Sequence, residues 1–322
     1  YADVPPTSGS GATPFVAINQ DGSRVAWTNG FDHIYVADFD GGNRIEAASL
    51  FSVNGSNVEP RFEGDRFKFA GNGKLYFHLS LGVGESLQDE NGIYSVNADG
   101  TGQQRLLTYE QIRNNVPGPP EPFNPLDFGA SITQFDVSDD GSRIVGGYEL
   151  AHYTGGVTSR AGTVFTYESG TVRQIASARL ANSIQAAISG DGEVIAYDYP
   201  ELETTWMNSF AGDAEGMIYG ERAAGLDLEM SGDGSFAVIA ERGAETSRNV
   251  ALVGRGQRLD IIPVRNFTGV TGMSLSRETG RVAWVSGWFS PFAVGFPSRP
   301  VSQLFSVDVN AGGGAGFPQI SN

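Results

Sequence analysis

Cysteine is absent from this sequence of 322 residues, and lysine occurs only as Lys68 and Lys74. The absence of cysteine excludes disulfides, thiolate metal sites and cysteine nucleophiles. The chain also lacks any run of roughly 18 apolar residues, so we expect it not to span a membrane. The 37 acidic residues outnumber 21 basic ones and give a formal net charge of −16. This charge repels phosphate groups, and nucleic acid is therefore not an expected partner.

The chain contains a sequence motif that recurs six times and that we call the turn phrase. In it, an apolar strand is followed by an Asp-Gly-type turn and then by a second apolar strand. The glycines of these turns are Gly22, Gly73, Gly141, Gly192 and Gly234, and the sixth copy turns at Thr279-Gly280. Successive turns are roughly 40 to 70 residues apart, which fits four strands per repeat. Such repeats cannot bury their apolar faces alone, so the sequence predicts one closed or stacked β assembly.

A second signature follows several of the turns and is typical of a hairpin. One copy runs from Ile93 to Thr108 and reads IYSVNADGTGQQRLLT. Together, the two phrases resemble the TolB-like six-bladed propellers that are built from WD40-like (PD40) repeats. The resemblance covers most of the chain, although the usual proline of the turn phrase is missing from every copy. It implies an all-β fold, a six-bladed β-propeller of four-stranded antiparallel blades.

The expected domain organisation is a single propeller over residues 1–322. Its approximate blades are 14–52, 60–110, 131–180, 183–224, 226–267 and 270–322. The segment from Phe317 to Ser321 is expected to supply the last strand of the sixth blade. Whether the segment before Pro14 also pairs with that blade and closes the ring remains open.

The ends of the blades are predicted to differ. In a four-stranded blade, the first and third connections share one end, and these connections are short here. The remaining connections share the other end and carry the long segments, where binding residues usually lie on a rigid scaffold. The predicted long segments are Leu79–Asn91, Glu110–Ala130, Ala151–Ala161, Asp198–Glu215 and Ser286–Ser302.

The long segments are rich in aromatic residues. These rings either fold down onto the blades or form an apolar contact surface, since exposed apolar clusters mark interfaces or sugar-stacking platforms. We expect a protein partner or a larger complex to bind there, and carbohydrate is a further option. The candidate contact residues are Trp206, Phe210, Trp288, Phe289, Phe292 and Phe296.

The three histidines, His33, His78 and His152, are predicted near the same end of three consecutive blades. Histidine acts as a base near neutral pH. If His78 and His152 converge, Tyr153 and Arg160 complete a lyase-like set in which a base removes the proton beside a uronate carboxylate and a cation stabilises the enolate. Isolated histidines on strands are more often structural.

Family resemblance leaves the function open, because such propellers serve as partner-binding modules, as gating domains beside peptidases and as polysaccharide lyases. The sequence favours a non-catalytic binding or scaffold propeller, an accessory subunit of a larger assembly, with an acidic-glycan lyase as the alternative. No cofactor or metal site is expected. The phrases at Asp38–Asn43 and Asn97–Gly102 resemble the start of a calcium loop but lack its final acid, and we interpret them as hairpin turns.

The N-terminal sequence favours export. Residues from Tyr1 to Gly11 are polar and flexible in composition, as in a mature N-terminus after a signal peptide has been removed. A chain shortened for other reasons has the same appearance. We therefore expect a periplasmic or secreted protein.

Overall fold

A computed structural model describes most of the chain as antiparallel β-sheets. The described residues are 16–28, 33–49, 67–79, 91–116, 128–154, 157–179, 184–199, 204–212, 216–219, 227–242, 248–254, 257–264, 269–278, 281–289 and 300–308. They form five four-stranded sheets and one three-stranded sheet. The chain divides into two compact units, residues 1–179 and 180–322.

The first unit contains three sheets, each made from four consecutive strands. Sheet 1 comprises β1 (Val16–Ile18), β2 (Arg24–Thr28), β3 (His33–Asp38) and β4 (Ile45–Ser49). Sheet 2 comprises β5 (Phe67–Phe69), β6 (Lys74–Leu79), β7 (Gly92–Asn97) and β8 (Gln104–Thr108). Sheet 3 comprises β9 (Phe128–Val137), β10 (Arg143–Thr154), β11 (Val157–Glu168) and β12 (Thr171–Arg179).

The second unit continues the same plan. Sheet 4 comprises β13 (Gln185–Ile188), β14 (Val194–Tyr199), β15 (Thr204–Ser209) and β16 (Gly216–Tyr219). Sheet 5 comprises β17 (Asp227–Met230), β18 (Phe236–Arg242), β19 (Arg248–Gly254) and β20 (Gln257–Val264). Sheet 6 comprises β21 (Gly269–Leu275), β22 (Arg281–Phe289) and β23 (Pro300–Asp308) among the described residues. The predicted strand from Phe317 to Ser321 lies outside them.

The turn phrase forms the connection between the first and second strands of a sheet, as predicted. Its glycines have φ values between 66° and 77° in the five described copies, a left-handed conformation that glycine adopts without strain. In sheet 3, one carboxylate oxygen of Asp140 accepts the backbone N–H of Ser142 at 2.9 Å and the hydroxyl of Ser138 at 2.7 Å. These bonds lower the pKa of Asp140 and keep it ionised. The sixth copy, at Thr279-Gly280, lies outside the described residues.

Neighbouring turns of this kind are joined by backbone hydrogen bonds. In the first unit, Asn72 N–H donates to Asp139 C=O at 2.7 Å. Its side-chain amide reaches the carbonyl of Asp140 at 2.9 Å. In the second unit, Asp191 N–H donates to Gly232 C=O at 3.2 Å. We call this end of each sheet its turn end and the opposite end its loop end.

Sheet 2 is buried on both faces. Almost every residue of β6 and β7 is buried, since one apolar cluster lies between sheets 1 and 2 and a second lies between sheets 2 and 3. Fully burying one large apolar side chain stabilises a fold by roughly 1.5–3 kcal/mol. A third cluster joins sheets 4 and 5. Within each unit, these clusters therefore lie between the faces of successive sheets.

Among the described residues, one helix interrupts the strands. α1 (Tyr109–Asn115) follows β8 directly, although the segment 110–130 was predicted to be irregular. A capping box starts it, because Gln111 N–H donates to the Thr108 hydroxyl at 3.0 Å and Thr108 N–H donates to the Gln111 side chain at 2.9 Å. Tyr109 and Ile112 are its buried residues and pack between sheets 2 and 3.

Other predicted long segments are also shorter than expected. The segment 151–161 is wrong as a loop, because β10 and β11 pair continuously to Thr154 opposite Val157. The segment 198–215 is partly strand, since β14 ends at Tyr199 and β15 covers Thr204–Ser209. Backbone pairing satisfies the polar groups that a loop would have left to water.

Candidate functional site

His78 lies near the loop end of β6 and is sealed into the core. The side chain is 3% exposed, and its Nε2 lies 2.6 Å from the hydroxyl oxygen of Tyr109. The two rings stack with centroids 5.6 Å apart. The Tyr109 hydroxyl also accepts the N–H of Ile132 at 3.2 Å, so its own proton is available for Nε2. One hydrogen-bonded cluster thus links β6, α1 and β9.

Tyr148 borders this cluster from β10. Its ring meets Tyr109 edge-on at 6.2 Å, and the residue is 1% exposed. Burial raises its pKa to about 12, against a smaller opposing effect of Arg113. The phenol is therefore protonated at neutral pH. Through α1, this cluster contributes to the packing of sheets 2 and 3. The side chains of His78, Tyr109 and Tyr148 are buried away from solvent.

Three of the four candidate lyase residues share one hairpin. β10 and β11 are each 12 residues long, roughly 20 Å longer than the 6-residue β14. At the loop end of this hairpin, His152 pairs with Ser159 in the backbone register. Tyr153 pairs with Thr158, and Arg160 pairs with Ala151. The backbone therefore brings His152, Tyr153 and Arg160 to the same ribbon, while their side chains lie outside the described part.

His33 has local partners of its own in sheet 1. Its Nδ1 lies 3.4 Å from a carboxylate oxygen of Glu46, and its ring stacks on Tyr35 at 5.9 Å. Tyr35 in turn stacks on Trp27, and the guanidinium of Arg44 lies 4.3 Å from the Tyr35 ring centroid. A cation above an aromatic face is held by the ring's quadrupole.

The predicted aromatic contact residues fall into different environments. Trp206 lies within strand β15 and is partly exposed, whereas it was expected in a loop. Phe210 follows β15 in a tight turn and is 7% exposed, so it belongs to the core and offers no contact surface. Trp288 and Phe289 end β22, where the backbone pairs them with Val301 and Pro300. Those two side chains, and all of Phe292 and Phe296, lie outside the described part.

Two apolar residues outside the predicted contact set are exposed. Phe39 is 64% exposed and Ile18 is 53% exposed, and no other large apolar side chain that the structure describes is exposed. Both lie at the turn end of sheet 1. The signal for Phe39 was present in the hairpin phrase Asp38-Phe-Asp-Gly-Gly-Asn43, which places an apolar residue at the tip of a polar turn.

Within the described ranges, no three His, Asp or Glu side chains are grouped so that they hold a metal ion. The phrases resembling calcium loops form hairpin turns, as predicted, with Gly41 N–H bonded to Asp38 C=O at 2.8 Å and Gly100 N–H bonded to Asn97 C=O at 2.9 Å. Across the same described ranges, no helix has the length and apolar character needed to cross a membrane.

No family model matches the chain, and no curated protein matches it. Among solved structures, an oligogalacturonate lyase from Vibrio parahaemolyticus is similar with a TM-score of 0.54 at 10% identity, over 92% of this chain and 74% of the other. A luciferin-regenerating enzyme gives a TM-score of 0.54 at 10% identity, over 94% and 93%. TolB from Acinetobacter baumannii gives 0.45 at 16% identity, over 79% and 55%.

At 10% identity, the first two likenesses concern the fold alone. The oligogalacturonate lyase is a propeller, and this chain is mostly β with several four-stranded antiparallel sheets. A β-propeller fold is thereby supported, in agreement with the expectation from the repeats.

Proposed function

We propose that the protein is a TolB-like, six-bladed β-propeller, a single domain over residues 1–322, that works by binding. It acts in the periplasm or outside the cell as a scaffold or accessory subunit of a larger protein assembly, and it needs no cofactor. Six successive antiparallel sheets in the described residues support this architecture.

The observation that carries the binding proposal is the burial of His78. His78 is a member of the predicted lyase set, but it is 3% exposed and its Nε2 is 2.6 Å from the Tyr109 hydroxyl, so it does not reach a substrate while the core stays closed. Exposing it requires the contact between α1 and sheets 2 and 3 to open. This burial favours a function that is carried by the protein surface. Rigid scaffolds present binding residues at the connections between their strands.

The proposed contact surface is the loop end of the sheets. Trp288 and Phe289 are its expected anchors, with Trp206, Phe292 and Phe296 around them. Large rings dominate interface energetics, and truncating a buried anchor typically costs upward of about 2 kcal/mol of binding free energy.

The test is the native mass of the endogenous protein in a gentle cell extract, compared with 34.2 kDa for the chain alone. We expect a larger, stoichiometric complex that the double variant W288A/F289A loses. Circular dichroism and thermal unfolding of both proteins control for folding. A folded double variant that still enters the complex would refute the assigned surface, and a wild-type monomer would refute the binding function.

A second candidate function is a polysaccharide lyase acting on an acidic glycan. The observation behind it is the shared β10–β11 hairpin, where Tyr153 and Arg160 occupy register positions of one face of the ribbon and His152 occupies a position of the other face, so that a substrate would have to contact both faces of the ribbon. In this mechanism His152 removes the proton beside the uronate carboxylate and Arg160 stabilises the enolate that develops; the glycosidic C–O bond then breaks, and Tyr153 as the acid gives the leaving oxygen its proton. The buried His78 has no part in it while the core stays closed.

His152→Ala separates the two functions. Under the lyase hypothesis, the variant abolishes formation of the unsaturated product from acidic polysaccharides, measured by ultraviolet absorbance. His33→Ala is the matched control, because His33 lies in another sheet beside Glu46 and should leave turnover unchanged. Wild-type protein that produces no unsaturated product from a panel of acidic polysaccharides would rule out the lyase.

A further inference from the structure

The turn end of sheet 1 presents two exposed apolar side chains, one at each of its two turns. Ile18 ends β1 and pairs with Val25 in the register. Phe39 follows β3, and its N–H donates to the carbonyl of Ser23 at 2.8 Å, so the two turns of the sheet are joined. Single exposed apolar residues are ordinary on a surface. Here two large ones stand on adjoining turns of one sheet end.

A stiff hairpin holds Phe39. Gly41 N–H donates to Asp38 C=O at 2.8 Å, and Asp38 N–H donates to Gly42 C=O at 2.9 Å. The Asn43 side chain donates to the Asp38 carboxylate at 2.6 Å. A side chain presented by a backbone that is already ordered loses little conformational entropy when a partner binds.

The equivalent position in sheet 4 provides an internal comparison. Phe210 occupies the same place, directly after the third strand, and its N–H donates to Glu193 C=O at 2.9 Å as Phe39 N–H does to Ser23. Yet Phe210 is 7% exposed and Phe39 is 64% exposed. The turn geometry alone therefore does not dictate exposure, and the ring of Phe39 is available to a partner where that of Phe210 is not.

Acidic side chains lie in the same two turns. Asp21 and Asp40 are exposed in the two turns, and hydrogen bonds from Ser23 keep the pKa of Asp21 below its ordinary value. The nearby arginines are engaged elsewhere. Arg24 lies 3.6 Å from Asp38 and donates to the carbonyl of Ala98, and Arg44 stacks on Tyr35. A second copy of this chain, with its net charge of −16, is poorly suited to such a surface.

We infer that Ile18, Asp21, Phe39 and Asp40, which we call the Phe39 surface, dock a protein segment in which an apolar side chain is flanked by lysine or arginine. The apolar side chain packs on Phe39 and Ile18, and the flanking cations face the two carboxylates. This inference deepens the proposed binding function, on which it rests, by assigning a contact surface at the turn end in addition to the loop end.

The experiment places the photoreactive amino acid p-benzoylphenylalanine at position 39 of the full chain in its native cells. The control position is Ala211, an exposed residue in the equivalent turn of sheet 4. After irradiation, we expect adducts at position 39 to exceed those at 211 by about tenfold or more. Mass spectrometry of the adduct should identify a peptide with an apolar residue between basic ones.

Charge variants test the chemistry of the contact. D21N/D40N keeps the side-chain oxygens that accept the turn N–H groups but removes both charges. We expect this variant, and separately raised salt, to reduce cross-linking at position 39 several-fold, because exposed charges are screened over roughly 10 Å at 0.1 M salt. Unchanged cross-linking would overturn the assignment of a cationic partner.

Three further outcomes would overturn the inference: equal labelling at positions 39 and 211, an acidic or neutral cross-linked peptide, or an adduct between two copies of this chain. If the native complex persists without labelling at position 39, this inference fails and the proposed binding function stands. If labelling at 39 persists in W288A/F289A, the turn-end contact stands independently of the loop end.

Discussion

At the scale of single residues, two buried tyrosines in one apolar cluster differ in their hydroxyl groups. The hydroxyl of Tyr109 bonds to His78 and to the N–H of Ile132. The hydroxyl of Tyr148 is buried and has no hydrogen-bond partner among the described residues. The two residues thus form a matched pair. Replacing either tyrosine by phenylalanine removes one hydroxyl group, but only at Tyr109 does this break hydrogen bonds.

Tyr109→Phe is expected to lower the free energy of unfolding by about 2 kcal/mol more than Tyr148→Phe, because it leaves a buried imidazole nitrogen and a backbone N–H unpaired. Tyr148→Phe should be nearly neutral or slightly stabilising. Urea denaturation of the two variants and the wild type measures the difference. Equal losses would show that the contact between His78 and Tyr109 contributes little to the stability of the first unit.

At the scale of elements, the turn glycines show how one motif is used in two environments. Gly73 and Gly141 have φ values of 77° and 75°. A Cβ at Gly73 would meet nothing within 4 Å, whereas a Cβ at Gly141 would collide with the Tyr76 hydroxyl and the Asn72 amide. Those two groups belong to the neighbouring sheet, so the second glycine permits a close approach between sheets.

Gly73→Ala is expected to cost about 1 kcal/mol, the strain of a left-handed alanine. Gly141→Ala should cost roughly 1–3 kcal/mol more, because Asn72 must move and its bond to the Asp140 carbonyl is lost. Chemical denaturation of both variants gives the comparison. A cost at Gly141 no greater than at Gly73 would mean that the two turns are free to separate.

Local signals explain which elements could be predicted from the sequence. The geometry of the Asp-Gly turns is determined by their own residues, since glycine adopts the required positive φ, and the turns form as expected. α1 also had a local signal, the capping box formed by Thr108 and Gln111, which the proline-rich segment after it obscured. The extension of β10 and β11 had none, because the length of a paired strand depends on its partner as much as on its own residues.

At the scale of the whole molecule, repetition made the fold class accessible, but the candidate site depended on neighbours. Phe39 and Phe210 follow the third strands of their sheets in similar hairpin phrases, yet one is exposed and the other buried. His78 was selected for its chemistry, and its burial depends on α1 and β9, which are distant from it in sequence. Residue type identified plausible chemistry, whereas accessibility required the packing between sheets.

The hydrogen bonds that join neighbouring turn ends have a consequence for how this architecture tolerates change during evolution. Asn72 N–H bonds to Asp139 C=O, and Asp191 N–H bonds to Gly232 C=O, so main-chain atoms fix the spacing of adjacent sheets there. An insertion in one of these turns would displace the next sheet as well. Insertions and deletions should therefore accumulate at the loop end. There, new binding residues can arise without changing the spacing of the sheets.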